Sequence, residues 1–67
     1  MPTPRLHLAE WRERAGITQG DVAKALGVRQ ATVSDLERGV ARTVKLAHLT
    51  KLARLFRCEP WELLRAP

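Results

Sequence analysis

The side chains able to hold a metal or attack a substrate are few in this 67-residue chain: two histidines, His7 and His48, and one cysteine, Cys58. A zinc site needs three or four such ligands at spacings that let them converge. His7 and His48 fall in separate helical segments at positions expected to face water, and Cys58 cannot complete a set with them. The acidic residues read as helix-surface charges, no glycine-rich loop follows a strand, and a chain this short is expected to leave no room for a substrate cleft of the usual size. The sequence therefore predicts no catalysis, no metal and no cofactor. What remains is polar recognition, by the amides of Gln19 and Gln30 and by a scatter of arginines and lysines. Twelve Lys and Arg against seven Asp and Glu give a net charge of +5. That balance suits a polyanionic partner, although alone it shows only an attraction for anions.

The elements that must position these groups centre on residues 16–39, GITQGDVAKALGVRQATVSDLERG. Thr18 followed three residues later by Asp21 is a variant capping box, with a carboxylate where the helix dipole is positive. Val22, Ala23 and Leu26 then share one face, and Gly27 ends the helix. A second helix starts near Arg29 or Gln30, buries Val33 and Leu36, and stops at Gly39. Only Gly27, Val28 and Arg29 remain for the turn, with Val28 as the apolar plug between the helices. Two short helices joined by a glycine-containing turn form a helix-turn-helix pattern, here spanning about 18–38.

The stretch resembles the helix-turn-helix of the phage repressor and Cro family, also called the XRE family. Its usual form is a T-Q-x-x-(V/L)-A-x-x-(L/M)-G-V-x-Q-x-(T/S)-(V/I)-S-x-(L/I)-E-x-G run. Thr18, Gln19, Val22, Ala23, Leu26, Gly27, Val28, Gln30, Thr32, Val33, Ser34, Leu36, Glu37 and Gly39 all match. The resemblance extends more weakly over almost the whole chain. It implies a lambda-repressor-like DNA-binding domain and a double-stranded DNA partner.

That geometry assigns roles by position. The second helix of such a motif enters the major groove with its N-terminal residues at base edges, while the start of the first faces the phosphates. Gln30, Ala31, Thr32 and Asp35 are then the base-reading candidates. Glutamine can pair bidentately with adenine, alanine can only meet a thymine methyl or leave space, and aspartate can accept from a cytosine amine. Asp35 reads equally well as a surface partner for Arg38 at i+3. Gln19, Arg29, Ser34, Arg38, Arg42 and Lys45 are the phosphate candidates, Ser34 reading equally as a permissive surface residue. In the family the two glutamines brace each other. Arg29 stands where relatives often carry a capping serine or threonine, so a cap is exchanged for a cation.

The flanking segments read as packing support. Thr3 and Pro4 suit the start of a first helix running to about Ala15, with Leu8, Trp11 and Ala15 on its core face and Leu6 off that stripe. The resemblance pairs Arg12 on this helix with Glu37, as a structural salt bridge between helices 1 and 3. Thr43 is the best cap for a fourth helix, with Leu46, Leu49, Leu52, Ala53 and Phe56 forming its apolar face. Arg57 takes the place of a helix-ending glycine, and Cys58 reads as a small buried hydrophobe. Glu59 and Pro60 open a fifth helix through about Arg65 carrying Trp61, Leu63 and Leu64.

The sequence thus predicts one all-α domain over residues 1–67, a compact five-helix bundle burying roughly 60% of its unfolded surface. One cysteine excludes an internal disulfide, and the absence of a signal peptide or long apolar run reads as cytoplasmic. The expected function is sequence-specific recognition of a palindromic operator by a homodimeric transcriptional repressor. The family suggests Trp61 and Leu64 as its dimer surface, while the alternative is that they close the monomer core. An antitoxin or restriction-modification controller would use the same DNA surface, with a toxin or other regulator as partner. A protein-interaction module that keeps the fold without binding DNA is the competing class.

Overall fold

The computed structural model describes residues 6–40 and 44–67. Within these residues four α-helices, α1 (Leu8–Ala15), α2 (Gln19–Leu26), α3 (Gln30–Arg38) and α4 (Leu46–Phe56), are followed by a 3₁₀ helix, Pro60–Leu64. Among the described residues there is no strand.

All four α-helices end in the same way. The residue after each lies in the left-handed region, and the next amide reaches back to a carbonyl five residues earlier: Ile17 to Arg12, Val28 to Ala23, Val40 to Asp35 and Cys58 to Ala53, at 2.9–3.2 Å. Three of the left-handed residues are glycines; the fourth is Arg57, at φ 55° and ψ 48°. An arginine there carries a Cβ in a conformation that glycine adopts freely, so the α4 terminus holds local backbone strain. Three of the following hydrophobes, Ile17, Val28 and Cys58, fold back onto the core, which is how each turn sets the direction of the next element.

The core gathers Leu6, Leu8, Trp11, Val22, Ala23, Leu26, Val33, Leu36, Leu52, Ala53 and Leu63. Trp11 packs obliquely on Phe56, with ring centroids 6.2 Å apart, and its indole Nε1–H donates to the Arg65 carbonyl at 2.9 Å. The His7 amide donates to the Leu63 carbonyl at 2.8 Å, so the start of α1 and the 3₁₀ helix clip together.

Several expectations are corrected. The first helix begins at Leu8, with His7 in the capping position; Thr3 and Pro4 lie outside the described residues. Leu6 is buried because it precedes the helix, where a helical stripe has no bearing, and Ala15 is exposed at the helix end. The fourth helix begins after Lys45, and Thr43 also lies outside the described residues. Its first turn overhangs the core, leaving Leu46 76% exposed. The fifth helix is a 3₁₀ segment ending at Leu64, and Glu59 makes no side-chain cap. In so short a segment the i to i+3 bonds from Glu62 to Glu59 and from Arg65 to Glu62 suffice.

Candidate nucleic-acid interface

Thr18 and Asp21 form a complete capping box: the Asp21 amide donates to the Thr18 hydroxyl at 3.0 Å, and the Thr18 amide donates to the Asp21 carboxylate at 2.9 Å. The Thr18 amide, and after it the Thr18 side chain, hold the Asp21 carboxyl below its ordinary range. The box leaves the amides of Gln19 and Gly20 at the mouth of the helix, where the dipole favours an anion. Gly20 stands at that mouth, within the first turn of α2. A Cβ built there would lie 3.6 Å from the Thr18 hydroxyl and 3.9 Å from Gln30 Oε1, which is ordinary contact.

The α3 helix opens at Gln30 with Arg29 as its cap, and Arg29 makes no side-chain capping bond. Gln30, Ala31 and Thr32 are exposed along its first turn, whereas Val33 and Leu36 are buried beneath. Ser34 and Asp35 are half-buried. Arg38 donates to Asp35 at 2.8 Å, an exposed i,i+3 ion pair on the outer face of the helix. Asp35 is therefore engaged by Arg38 in the free protein, an arrangement that contributes little stability at this exposure.

Behind this surface the polar groups join into one chain. Arg12 donates through Nε to Glu37 Oε2 at 2.6 Å and through Nη2 to Oε1 at 3.4 Å, while its Nη1 donates to the Ile17 carbonyl at 3.0 Å. Gln19 Nε2 donates to Glu37 Oε1 at 2.9 Å, and Gln30 Nε2 donates to Gln19 Oε1 at 3.4 Å. Burial alone would push the Glu37 carboxyl up. The hydrogen bonds from Arg12 and Gln19, with the charge of Arg12, outweigh it and hold Glu37 below the usual carboxylate range. Glu37 in turn raises the Arg12 guanidinium further above its ordinary value. The link from Glu37 to Gln19 was also absent from the sequence reading, since nothing in the spacing of positions 19 and 37 marks it.

The remaining candidates are scattered around this chain. Lys45 is exposed at the start of α4, and Arg42 lies outside the described residues. Trp61 is 63% and Leu64 46% exposed. At three residues per turn they eclipse each other and share one outward face of the 3₁₀ helix, while Leu63 is fully buried.

This geometry has counterparts. A family profile described as helix-turn-helix matches residues 8–63, from the first residue of α1 to the buried Leu63. The chain belongs to the helix-turn-helix family. It is similar to an uncharacterized HTH-type transcriptional regulator of Archaeoglobus fulgidus, with 40% identity over 53 residues, covering 78% of this chain and 73% of that protein. The helix-turn-helix fold is shared with the N-terminal DNA-binding domain of SinR from Bacillus subtilis. That likeness has a TM-score of 0.76 at 20% identity, covering 88% of this chain and 86% of the other.

Among the described residues no three His, Cys, Asp or Glu could share a metal ion. His7 and His48 are half-buried, where exposure was expected; His7 turns its ring onto Glu10 at the start of α1. Two open surface grooves lie at the end of α4, one of about 380 Å³ between it and the end of α1 and one of about 520 Å³ between it and the 3₁₀ helix. Both include Cys58, whose thiol is pushed up by burial and by Glu62 and Glu59, against the reactive thiolate. Among the described residues no helix is long and apolar enough to cross a membrane.

Proposed function

We propose that this chain is a sequence-specific double-stranded DNA-binding transcriptional regulator, acting as a cytoplasmic homodimeric repressor at a palindromic operator. The observation that carries the reading is the placement of Gln30. It stands exposed at the first position of α3, on a buried helix base, and is tied through Gln19 to the Arg12–Glu37 pair. A side chain held ahead of contact loses less freedom on binding than a free surface glutamine. The regulator name of the archaeal relative and the DNA-binding title of the Bacillus subtilis domain support the same reading.

In this reading residues 1–67 act as one domain and α3 lies in the major groove. Gln30, Ala31, Thr32 and Asp35 face base edges, and Asp35 exchanges Arg38 for a cytosine amine or stays paired and sets the register. The amides at the start of α2, Gln19, Arg29, Ser34, Arg38, Arg42 and Lys45 take phosphates, which position the domain without selecting sequence. A second copy meets the first through Trp61 and Leu64, placing two recognition helices about one helical turn apart.

The exposed apolar face of Trp61 and Leu64 also favours a second reading, in which it receives a protein partner such as a toxin or another regulator. Selection of duplexes from a random pool, followed by titration of the best duplex at several salt concentrations, tests the function. A palindromic site lost on Gln30→Ala supports the regulator. Binding with a salt slope but no preferred sequence sinks it and directs attention to the Trp61 face.

A further inference from the structure

We propose that Glu37 is a specificity-setting positioning residue: by fixing the direction of the Gln19 amide it fixes the direction of the Gln30 amide, and thereby selects adenine over guanine. The proposal rests on Gln30 as a base-reading residue.

The argument follows from what each group can donate. An ionised carboxylate only accepts hydrogen bonds. Glu37 Oε1 therefore requires the amino end of Gln19, which lies 2.9 Å away; the reversed amide would set carbonyl oxygen against carboxylate. With its amino end committed, Gln19 turns Oε1 toward Gln30 and requires a donor there. Gln30 supplies Nε2 at 3.4 Å. Each amide has one permitted direction because the first member of the chain cannot donate. Arg12 keeps that first member ionised and in place, gripping both oxygens while its own Nη1 is held by the Ile17 carbonyl. The relay thus runs from the packed junction of α1 and α3 to the exposed first turn of α3.

The consequence is a count of hydrogens. Gln30 Nε2 carries two, and Gln19 takes one. One amide hydrogen and the carbonyl oxygen remain, the adjacent donor and acceptor that adenine meets with N7 and its N6 amine. Guanine presents two acceptors, O6 and N7, and calls for two donors. A tethered Gln30 has only one to give, whereas an untethered one can turn both hydrogens to guanine. Glu37 need not touch DNA to exert this choice.

Four proteins test it, each checked for folding by thermal unfolding: wild type, Gln30→Ala, Gln19→Ala and Glu37→Gln. Glutamine at 37 can donate or accept, so it releases the direction of Gln19. Gln19→Ala removes the middle link and leaves the Arg12–Glu37 pair intact. Should Glu37→Gln fail to fold, Arg12→Met with Glu37→Met removes the acceptor without stranding a charge. Base preferences are read from a random duplex pool. At the one position whose adenine preference disappears in Gln30→Ala, the adenine-to-guanine ratio should fall roughly tenfold in Gln19→Ala and in the Glu37 variant, with other positions unchanged. A Gln30-dependent adenine preference that survives in either folded variant overturns the relay alone. A wild-type profile that Gln30→Ala leaves unaltered, or a preference there for another base, overturns the base-reading role and the relay together.

Discussion

The guanidinium of Arg12 meets the carboxylate of Glu37 across 25 residues of sequence, Nε to Oε2 at 2.6 Å, with 17% and 8% of the two side chains exposed. This contact ties the middle of α1 to the last turn of α3, directly behind the residues assigned to DNA. Its worth lies in geometry more than in net energy, because two charges have been taken largely out of water to make it.

Removing one partner should therefore be costly where removing both is not. Arg12→Ala strands the Glu37 carboxylate and should lower stability by about 2–3 kcal/mol, whereas Arg12→Met with Glu37→Met should stay within about 1 kcal/mol of wild type. Urea unfolding of both variants measures the difference. A double variant as unstable as the single one would contradict this account.

The depressed carboxyl of Glu37 predicts a pH dependence with a definite sign. The unfolded chain binds a proton near pH 4.3, above the folded value, so the unfolded state is the one stabilised by acid. The contribution is fully present above that pH and is lost as pH falls through the folded value. Stability should thus be flat through this group from neutrality to about pH 5 and decline below about pH 4. Asp21, also depressed, adds a decline of the same sign. In Glu37→Gln, the acid decline of stability should be shallower than in wild type.

Arg57 offers a stabilising substitution. Its left-handed conformation ends α4 where the other three α-helices use glycine. Arg57→Gly should raise stability by about 0.5–1 kcal/mol, relief of the Cβ strain outweighing the greater freedom of glycine in the unfolded chain. A thermal midpoint below that of wild type would show the arginine side chain to be worth more than the strain.

DNA affinity should separate positioning from reading. Lys45→Ala and Arg29→Ala should each weaken binding about equally for all duplexes and reduce the magnitude of the salt slope by about 1, while Gln30→Ala should cost about 1–3 kcal/mol on the preferred site alone. Fluorescence titrations on the selected and a scrambled duplex distinguish the two classes. Sequence-dependent losses at Lys45 would reassign it as a reader.

The 3₁₀ helix places neighbours in opposite roles. Leu63→Ala should cost about 2–5 kcal/mol in unfolding free energy, since the side chain is fully buried. Leu64→Ser with Trp61→Ser should leave the monomer fold intact while shifting sedimentation toward monomer. A variant that unfolds would mean that these two side chains stabilise the monomer.

Much of the helical frame was legible because its signals are local. Thr18 and Asp21 close a box within one turn, and Gly16, Gly27 and Gly39 stop helices by backbone freedom that no distant residue supplies. The apolar spacing of Val22, Ala23, Leu26, Val33 and Leu36 reads directly as two buried faces. Periodicity misled at element ends. Ala15 and Leu46 continue their stripes yet are exposed, because a stripe does not show where the neighbouring element runs out.

Sequence alone determined that this chain is helical, where its helix-turn-helix lies, and that it belongs with proteins built on that pattern, since caps, glycines and apolar period act within a few residues. Only the tertiary structure decided that Gln19 joins Glu37, and that Trp61 and Leu64 share an outward face around a buried Leu63. The Gln19 and Glu37 positions lie 18 residues apart, and their meeting depends on how α2 and α3 pack around the Val28 turn, a geometry that no local propensity carries.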